Sequence, residues 1–70
     1  MTKNQIAILE HASKNKCFLT NADCQDGKDC KILTKKGYLS EVKAPVWVGD
    51  DFIYYITMVG RSALYMEKKK

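Results

Sequence analysis

The sequence predicts a single α+β domain in which three helices precede a β-hairpin and a further, C-terminal helix follows it. Apolar residues recur at helical spacing as far as Gly37, and from Tyr38 onward they alternate with polar residues, as in a strand. Two β-rich runs then flank Gly49-Asp50-Asp51, which is typical of a hairpin turn. The 70 residues suffice for one small domain.

The helices before the hairpin are predicted from capping residues and apolar spacing. Thr2 and Gln5 have the form of a capping box, in which each side chain bonds to the backbone N–H of the other. A similar capping pattern begins at Thr20, and Asp26-Gly27 is typical of a turn. The predicted elements are a helix over 3–13, a minimal strand over 17–19, a short helix over 21–25 and a helix over 28–36 that Gly37 ends.

The second half of the chain is predicted to hold the strands and the last helix. The segment 38–43 alternates and is predicted as a strand, whereas Pro45 marks an edge, a bulge or a loop. The predicted hairpin pairs 46–48 with 52–56, and Thr57 caps a helix that ends near Met66. The sequence thus predicts one domain over 1–66 and a basic tail over 67–70.

The composition argues against several function classes. Hydrophobic residues make up 46% and charged residues 29%, which is typical of globular chains and not of disordered ones. No apolar run approaches the roughly 18 residues of a membrane span, and the amphipathic N-terminus does not resemble a secretory signal. We therefore expect a cytoplasmic protein without a membrane partner. Because so small a core leaves little stability for a strained active site, we expect neither enzymatic activity nor a cofactor.

The positive charge is concentrated at one end of the chain. The formal net charge is +4, but three of the basic residues are Lys68, Lys69 and Lys70. Without them, nine basic residues face eight acidic ones. A tail of this kind is usually a solvated, solubilising end.

The cysteines and acidic residues do not predict a metal site. Cys17, Cys24 and Cys30 lack the C-x2–4-C pair that is typical of structural zinc, and an odd number argues against a disulfide framework. Cys24 and Cys30 are instead predicted to be small core residues. Three acidic residues recur every third position and are interpreted as caps and solvated turns; they are Asp23, Asp26 and Asp29.

Two segments carry a resemblance to a known family. The first segment resembles the end of a recognition helix followed by entry into a wing. It reads Leu33-Thr34-Lys35-Lys36-Gly37-Tyr38-Leu39. The second segment resembles the step from the second wing strand into a capped helix. It reads Tyr54-Tyr55-Ile56-Thr57-Met58-Val59-Gly60-Arg61-Ser62-Ala63-Leu64. In this order, they are similar to the winged helix-turn-helix family, especially its multiple-antibiotic-resistance and related small regulator branches. The predicted fold is then a winged helix-turn-helix with three helices, a β-hairpin wing and a C-terminal helix, of a size typical of phage or mobile-element proteins.

The resemblance implies double-stranded DNA as the partner and transcription regulation as the function. Lys28, Lys31 and Lys35 fall on one face of the third predicted helix, which enters the major groove in this family. Lys43 and Arg61 are predicted to contact the DNA backbone. A monomer or a small homodimer is expected.

A second hypothesis assigns the same fold to protein recognition. The predicted wing is aromatic and acidic, and a strand buries only alternate residues, so some of its aromatic rings stay exposed. Exposed rings beside carboxylates suit a basic protein partner, such as a host protein that a phage protein inhibits or redirects. The residues predicted for this surface are Trp47, Asp50, Asp51 and Tyr55.

Overall fold

The computed structural model describes residues 1–69 and consists of three α-helices packed with a three-stranded antiparallel sheet. The helices are α1 (Lys3–Asn15), α2 (Gln25–Lys35) and α3 (Met58–Lys68), and the strands are β1 (Phe18–Thr20), β2 (Leu39–Lys43) and β3 (Phe52–Ile56). Strand β3 lies in the centre and pairs with β1 on one side and with β2 on the other. The predicted α+β class is confirmed.

The sheet has one covered face and one open face. Tyr54 and Leu39 point inward and are buried in the core between the sheet and the helices. The open face carries Leu19, Ile53 and Val42, which lie side by side across the three strands. The remaining core residues come from the helices; they are Ile8, Leu9, Ala12, Cys30, Leu33 and Leu64.

The predicted capping residues of the first and last helices are confirmed. The Thr2 hydroxyl accepts a hydrogen bond from the Gln5 backbone N–H at 3.1 Å, and the Gln5 side chain accepts one from the Thr2 N–H at 3.3 Å. The Thr57 hydroxyl accepts a hydrogen bond from the Gly60 N–H at 3.0 Å and so begins α3. Gly37 follows α2 with a φ of +83°, the left-handed conformation that its predicted role requires.

The predicted short helix over 21–25 is wrong. A turn occupies positions 21–24, and one helix begins at Gln25 with Cys24 as its N-cap. Gly27 is buried inside this helix, so the predicted turn at Asp26-Gly27 is wrong, and a Cβ at this position would overlap the Asn21 carbonyl oxygen. Residues 1–69 therefore contain three α-helices where four were predicted.

The predicted pairing of residues 46–48 with residues 52–56 is wrong, because the first strand of the hairpin lies earlier in the chain. Residues 46–48 form a short 3-10 helix, and the strands that pair are β2 and β3. Pro45 precedes this turn and lacks the N–H that a strand ladder needs. The loop closes where the Ala44 N–H donates to the Asp51 carbonyl at 3.0 Å.

The two segments that carry the family resemblance meet in the structure. The Thr57 N–H donates to the Tyr38 carbonyl at 3.1 Å, and its hydroxyl donates to the Gly37 carbonyl at 2.6 Å. One turn later, Gly60 approaches the same Tyr38 carbonyl so closely that a Cβ there would overlap its oxygen. The end of α2, the start of β2 and the start of α3 thus form one junction.

The last helix runs slightly farther than predicted. It includes Glu67 and Lys68, two positions of the predicted basic tail, and Lys70 lies outside the described residues. No helix in residues 1–69 is long and apolar enough to cross a membrane.

Candidate nucleic-acid interface

Helix α2 presents its lysines on one exposed face, as their spacing predicts. Lys28, Lys31 and Lys35 are exposed, and Ile32 shares their side of the helix. The opposite side holds the buried residues Gly27, Asp29, Cys30 and Leu33. Within the described residues, neither Lys28 nor Lys35 forms an ion pair. Both ammonium groups are therefore available to an external anion.

A polar cluster fixes α2 against the first turn of α1. Asp29 is only 6% exposed and accepts hydrogen bonds from the side-chain amides of Asn4 and Gln5. Asn4 also donates to the Asp26 carboxylate at 3.1 Å. The interpretation of Asp29 as a cap or solvated turn residue is wrong, because its carboxylate is buried and bonded between two helices. Asn4 and Gln5, which sequence reasoning missed for this role, thus orient the lysine-bearing helix.

Lys31 differs from the other two lysines because it has a partner within the protein. Its Nζ lies 2.9 Å from Glu41 Oε2 and 4.4 Å from the centre of the Phe52 ring. The Tyr54 hydroxyl donates to the same Glu41 oxygen at 2.8 Å. Both hydrogen bonds lower the pKa of Glu41 below its usual value, and the one from Lys31 has the larger effect. Burial, together with Glu41, raises the pKa of Tyr54.

The lowered pKa of Glu41 predicts a loss of stability in acid. A carboxyl whose pKa is depressed by folding stabilises the native state fully above its unfolded pKa, near 4.5, and loses that contribution as the pH falls through the folded value. We expect the free energy of unfolding of the wild type to fall more steeply than that of Glu41→Gln between about pH 5 and pH 3. Urea unfolding of both proteins across this range is the measurement. Parallel curves would contradict the prediction, since all other carboxyls are common to the two proteins.

Lys43 extends the basic surface from α2 onto the sheet. It pairs with Phe52 across β2 and β3, and directly opposed side chains lie on the same face of a sheet. Lys31 lies over the ring of this same Phe52, so the residue under the helix lysine is the cross-strand partner of Lys43. The structure therefore brings four of the five lysine and arginine residues predicted for DNA onto α2 and the adjoining strand.

Arg61 is the residue that the structure does not bring to this group. It lies on α3, which packs on α1. Its Nη1 donates to Ser13 Oγ at 3.4 Å. Within residues 1–69, no hydrogen bond or ion pair joins it to the lysines of α2.

The predicted aromatic and acidic surface is only partly assembled. Trp47 and Tyr55 are exposed, but Tyr55 lies on the open face of the sheet. Asp50 is half-buried. Asp51 Oδ2 accepts the Ala22 N–H at 3.1 Å, and the Asp51 N–H donates to Asn21 Oδ1 at 3.0 Å. The Asp51 carboxylate is therefore used to anchor the loop to the turn before α2.

The three cysteines have different surroundings. Cys30 is fully buried, as predicted, and burial raises the pKa of its thiol to about 12. Cys24 is exposed and caps α2, so its predicted core position is wrong. A hydrogen bond with the Thr20 hydroxyl, followed by one from the Gly27 N–H, lowers the pKa of Cys24. In the part of the chain that the structure describes, no group of three or more His, Cys, Asp and Glu residues is arranged to hold a metal ion.

Comparison of the chain with protein-family models, with curated proteins and with solved structures found no match.

Proposed function

We propose that this protein is a small winged helix-turn-helix domain that binds double-stranded DNA, with α2 in the major groove, and that it acts as a transcription regulator in the cytoplasm. The observation that carries the proposal is the basic surface formed by α2 and the neighbouring strand. Its members are Lys28, Lys31, Lys35 and Lys43. Lysines on one face of an exposed helix supply the phosphate contacts that dominate DNA affinity.

The order and contacts of the elements support the same proposal. In a winged helix, the recognition helix leads directly into a two-stranded wing, and here α2 leads into β2 and β3. The junction of Gly37, Tyr38 and Thr57 fixes the end of α2 against the base of this hairpin. A duplex seated on α2 would therefore also meet the hairpin.

The alternative of a basic protein partner has less support from the geometry. It needs free carboxylates beside exposed aromatic rings, but the Asp51 carboxylate already accepts a backbone hydrogen bond from Ala22. Asp50 is half-buried. The lysines of α2, in contrast, point outward and leave Lys28 and Lys35 without an ion pair among the described residues.

The test is the salt dependence of DNA binding by a double lysine variant. We expect the double variant Lys28→Ala, Lys35→Ala to bind a 30-bp mixed-sequence duplex more weakly than the wild type. The slope of log K against log salt should become shallower by about 2, because each lost phosphate contact reduces the magnitude of that slope by about 0.9. Lys31 is left unchanged, because its removal would also unpair Glu41. Fluorescence anisotropy of the labelled duplex across a salt series is the measurement.

The matched control removes two other helical lysines. Lys14 and Lys68 lie in the last turns of α1 and α3, outside the basic surface. Lys14→Ala combined with Lys68→Ala changes the net charge by the same amount and should leave the slope nearly unchanged. Equal slopes for the two double variants would show that net charge, and not α2, governs binding. Absence of binding by the wild type at low salt would overturn the proposed function.

A further inference from the structure

The tip of the hairpin loop is an exposed apolar surface that the proposed function does not use. Val46 is 99% exposed and Trp47 is 85% exposed, the two highest values among the exposed large hydrophobic residues. Both lie in the 3-10 turn Val46–Val48. Large apolar side chains that are held in water at a loop tip are typical of binding surfaces.

Hydrogen bonds hold this tip in one conformation. The Val48 N–H donates to the Pro45 carbonyl at 3.0 Å and closes the turn, while the Ala44–Asp51 bond closes the loop behind it. Asp51 is tied in turn to Asn21 and Ala22. The tip is therefore already ordered before any partner arrives, which lowers the entropic cost of binding.

The tip is also continuous with the basic surface. It belongs to the same hairpin as Lys43, which pairs with Phe52 across the strands, and the Phe52 ring lies under Lys31 of α2. The carboxylate of Asp51 accepts the Ala22 N–H and so is directed back toward the turn before α2. A polyanion seated on the lysines of α2 would thus lie next to an apolar tip.

We propose that Val46 and Trp47 form a wedge that inserts between base steps of the bound duplex from its minor groove and bends the DNA; this rests on the proposed function. Apolar side chains that enter the minor groove unstack a base step and kink the duplex by about 20–90°. An aromatic ring that stacks on bases contributes without reading their sequence. The wedge makes the affinity depend on how easily a base step is deformed, which favours flexible pyrimidine–purine steps.

The fluorescence of Trp47 provides a direct test, because this is the only tryptophan of the chain. We expect titration of the wild type with the 30-bp duplex at low salt to quench its emission roughly twofold or more, since a stacked ring leaves water and contacts bases. A duplex labelled at both ends with a donor and an acceptor should show closer ends in the complex.

The variant test compares two exposed apolar side chains. Trp47→Ala should weaken binding by about tenfold and abolish the bend, whereas Trp47→Phe should keep most of the bend. Met58, on α3, is 81% exposed and outside the basic surface, so Met58→Ala is the matched control and should bind as the wild type does. Since the Trp47 ring is largely in water, we expect both alanine variants to fold, and circular dichroism checks this.

The outcomes separate this inference from the proposed function. Binding that depends on Lys28 and Lys35, with an unquenched Trp47 and a straight duplex, would overturn the wedge and leave DNA binding in place. An equal effect of Trp47→Ala and Met58→Ala on DNA binding would also overturn the wedge and leave DNA binding in place. No binding of the duplex at all would overturn both.

Discussion

Gly60→Ala should destabilise the domain by about 3 kcal/mol or more, the upper end of the cost of overpacking. A Cβ at this position would overlap the Tyr38 carbonyl oxygen and press on Ile56 Cγ1 at 3.0 Å. The Tyr38 carbonyl is also the acceptor for the Thr57 N–H, so the backbone there cannot move away without losing that bond. Helix propensity alone would predict the opposite sign, because alanine is better than glycine inside a helix by about 1 kcal/mol.

Urea unfolding followed by far-ultraviolet circular dichroism measures the effect of Gly60→Ala. Tryptophan fluorescence is a poor probe of unfolding here, because the Trp47 ring is already in water when the domain is folded. Ser62→Ala is the control, because Ser62 is exposed on the same helix. This substitution should raise the free energy of unfolding by a few tenths of a kcal/mol. A Gly60→Ala protein as stable as the wild type would mean that α3 does not pack closely on the start of β2.

Gly27→Ala should lower the free energy of unfolding by about 2–3 kcal/mol, because α2 packs as closely on the turn before it as α3 packs on Tyr38. Its Cβ would overlap the Asn21 carbonyl oxygen and lie 3.1 Å from the Ala22 Cα. Relief requires the turn at 21–24 to move, and the same turn holds Asp51 through Asn21 and Ala22. The substitution should therefore disturb the start of α2 and the base of the hairpin loop together.

The experiment for Gly27→Ala is again urea unfolding, with Gln25→Ala as the control in the exposed first turn of α2. The Gly27→Ala protein should also expose the amides of residues 44 and 51 to faster hydrogen exchange, because the anchor of the loop is weakened. Unchanged stability together with unchanged exchange would refute the close approach of α2 to the turn.

The sequence predicted local features well because their signals are local. Thr2 and Thr57 cap helices through bonds to residues three positions away, so the pattern lies within one short segment. Gly37 ends α2 in the left-handed conformation for an equally local reason. The lysine face of α2 follows from helical periodicity alone, which is why its position was predictable even though the helix begins earlier than expected.

The errors arose where distant residues decide the structure. Asp26-Gly27 is typical of a turn, but this glycine is required by the approach of the Asn21 carbonyl to a continuous helix. Residues 46–48 have the composition of a strand, yet the chain turns after Pro45 and β2 pairs with β3. The burial of Asp29 and the pairing of Lys31 with Glu41 likewise depend on contacts between elements, and no spacing in the sequence reveals them.

The central position of β3 has a consequence for the synthesis of the protein. Strands β1 and β2 do not pair with each other, and each pairs only with β3, which follows both in the chain. On the ribosome, no part of the sheet can form until β3 begins to leave the exit tunnel. Until then, β1 and β2 have no strand with which to pair, and unpaired strand edges favour aggregation. Because Phe18 must find Tyr54 across about half of the chain, closing β1 onto β3 is the slow, non-local step of folding.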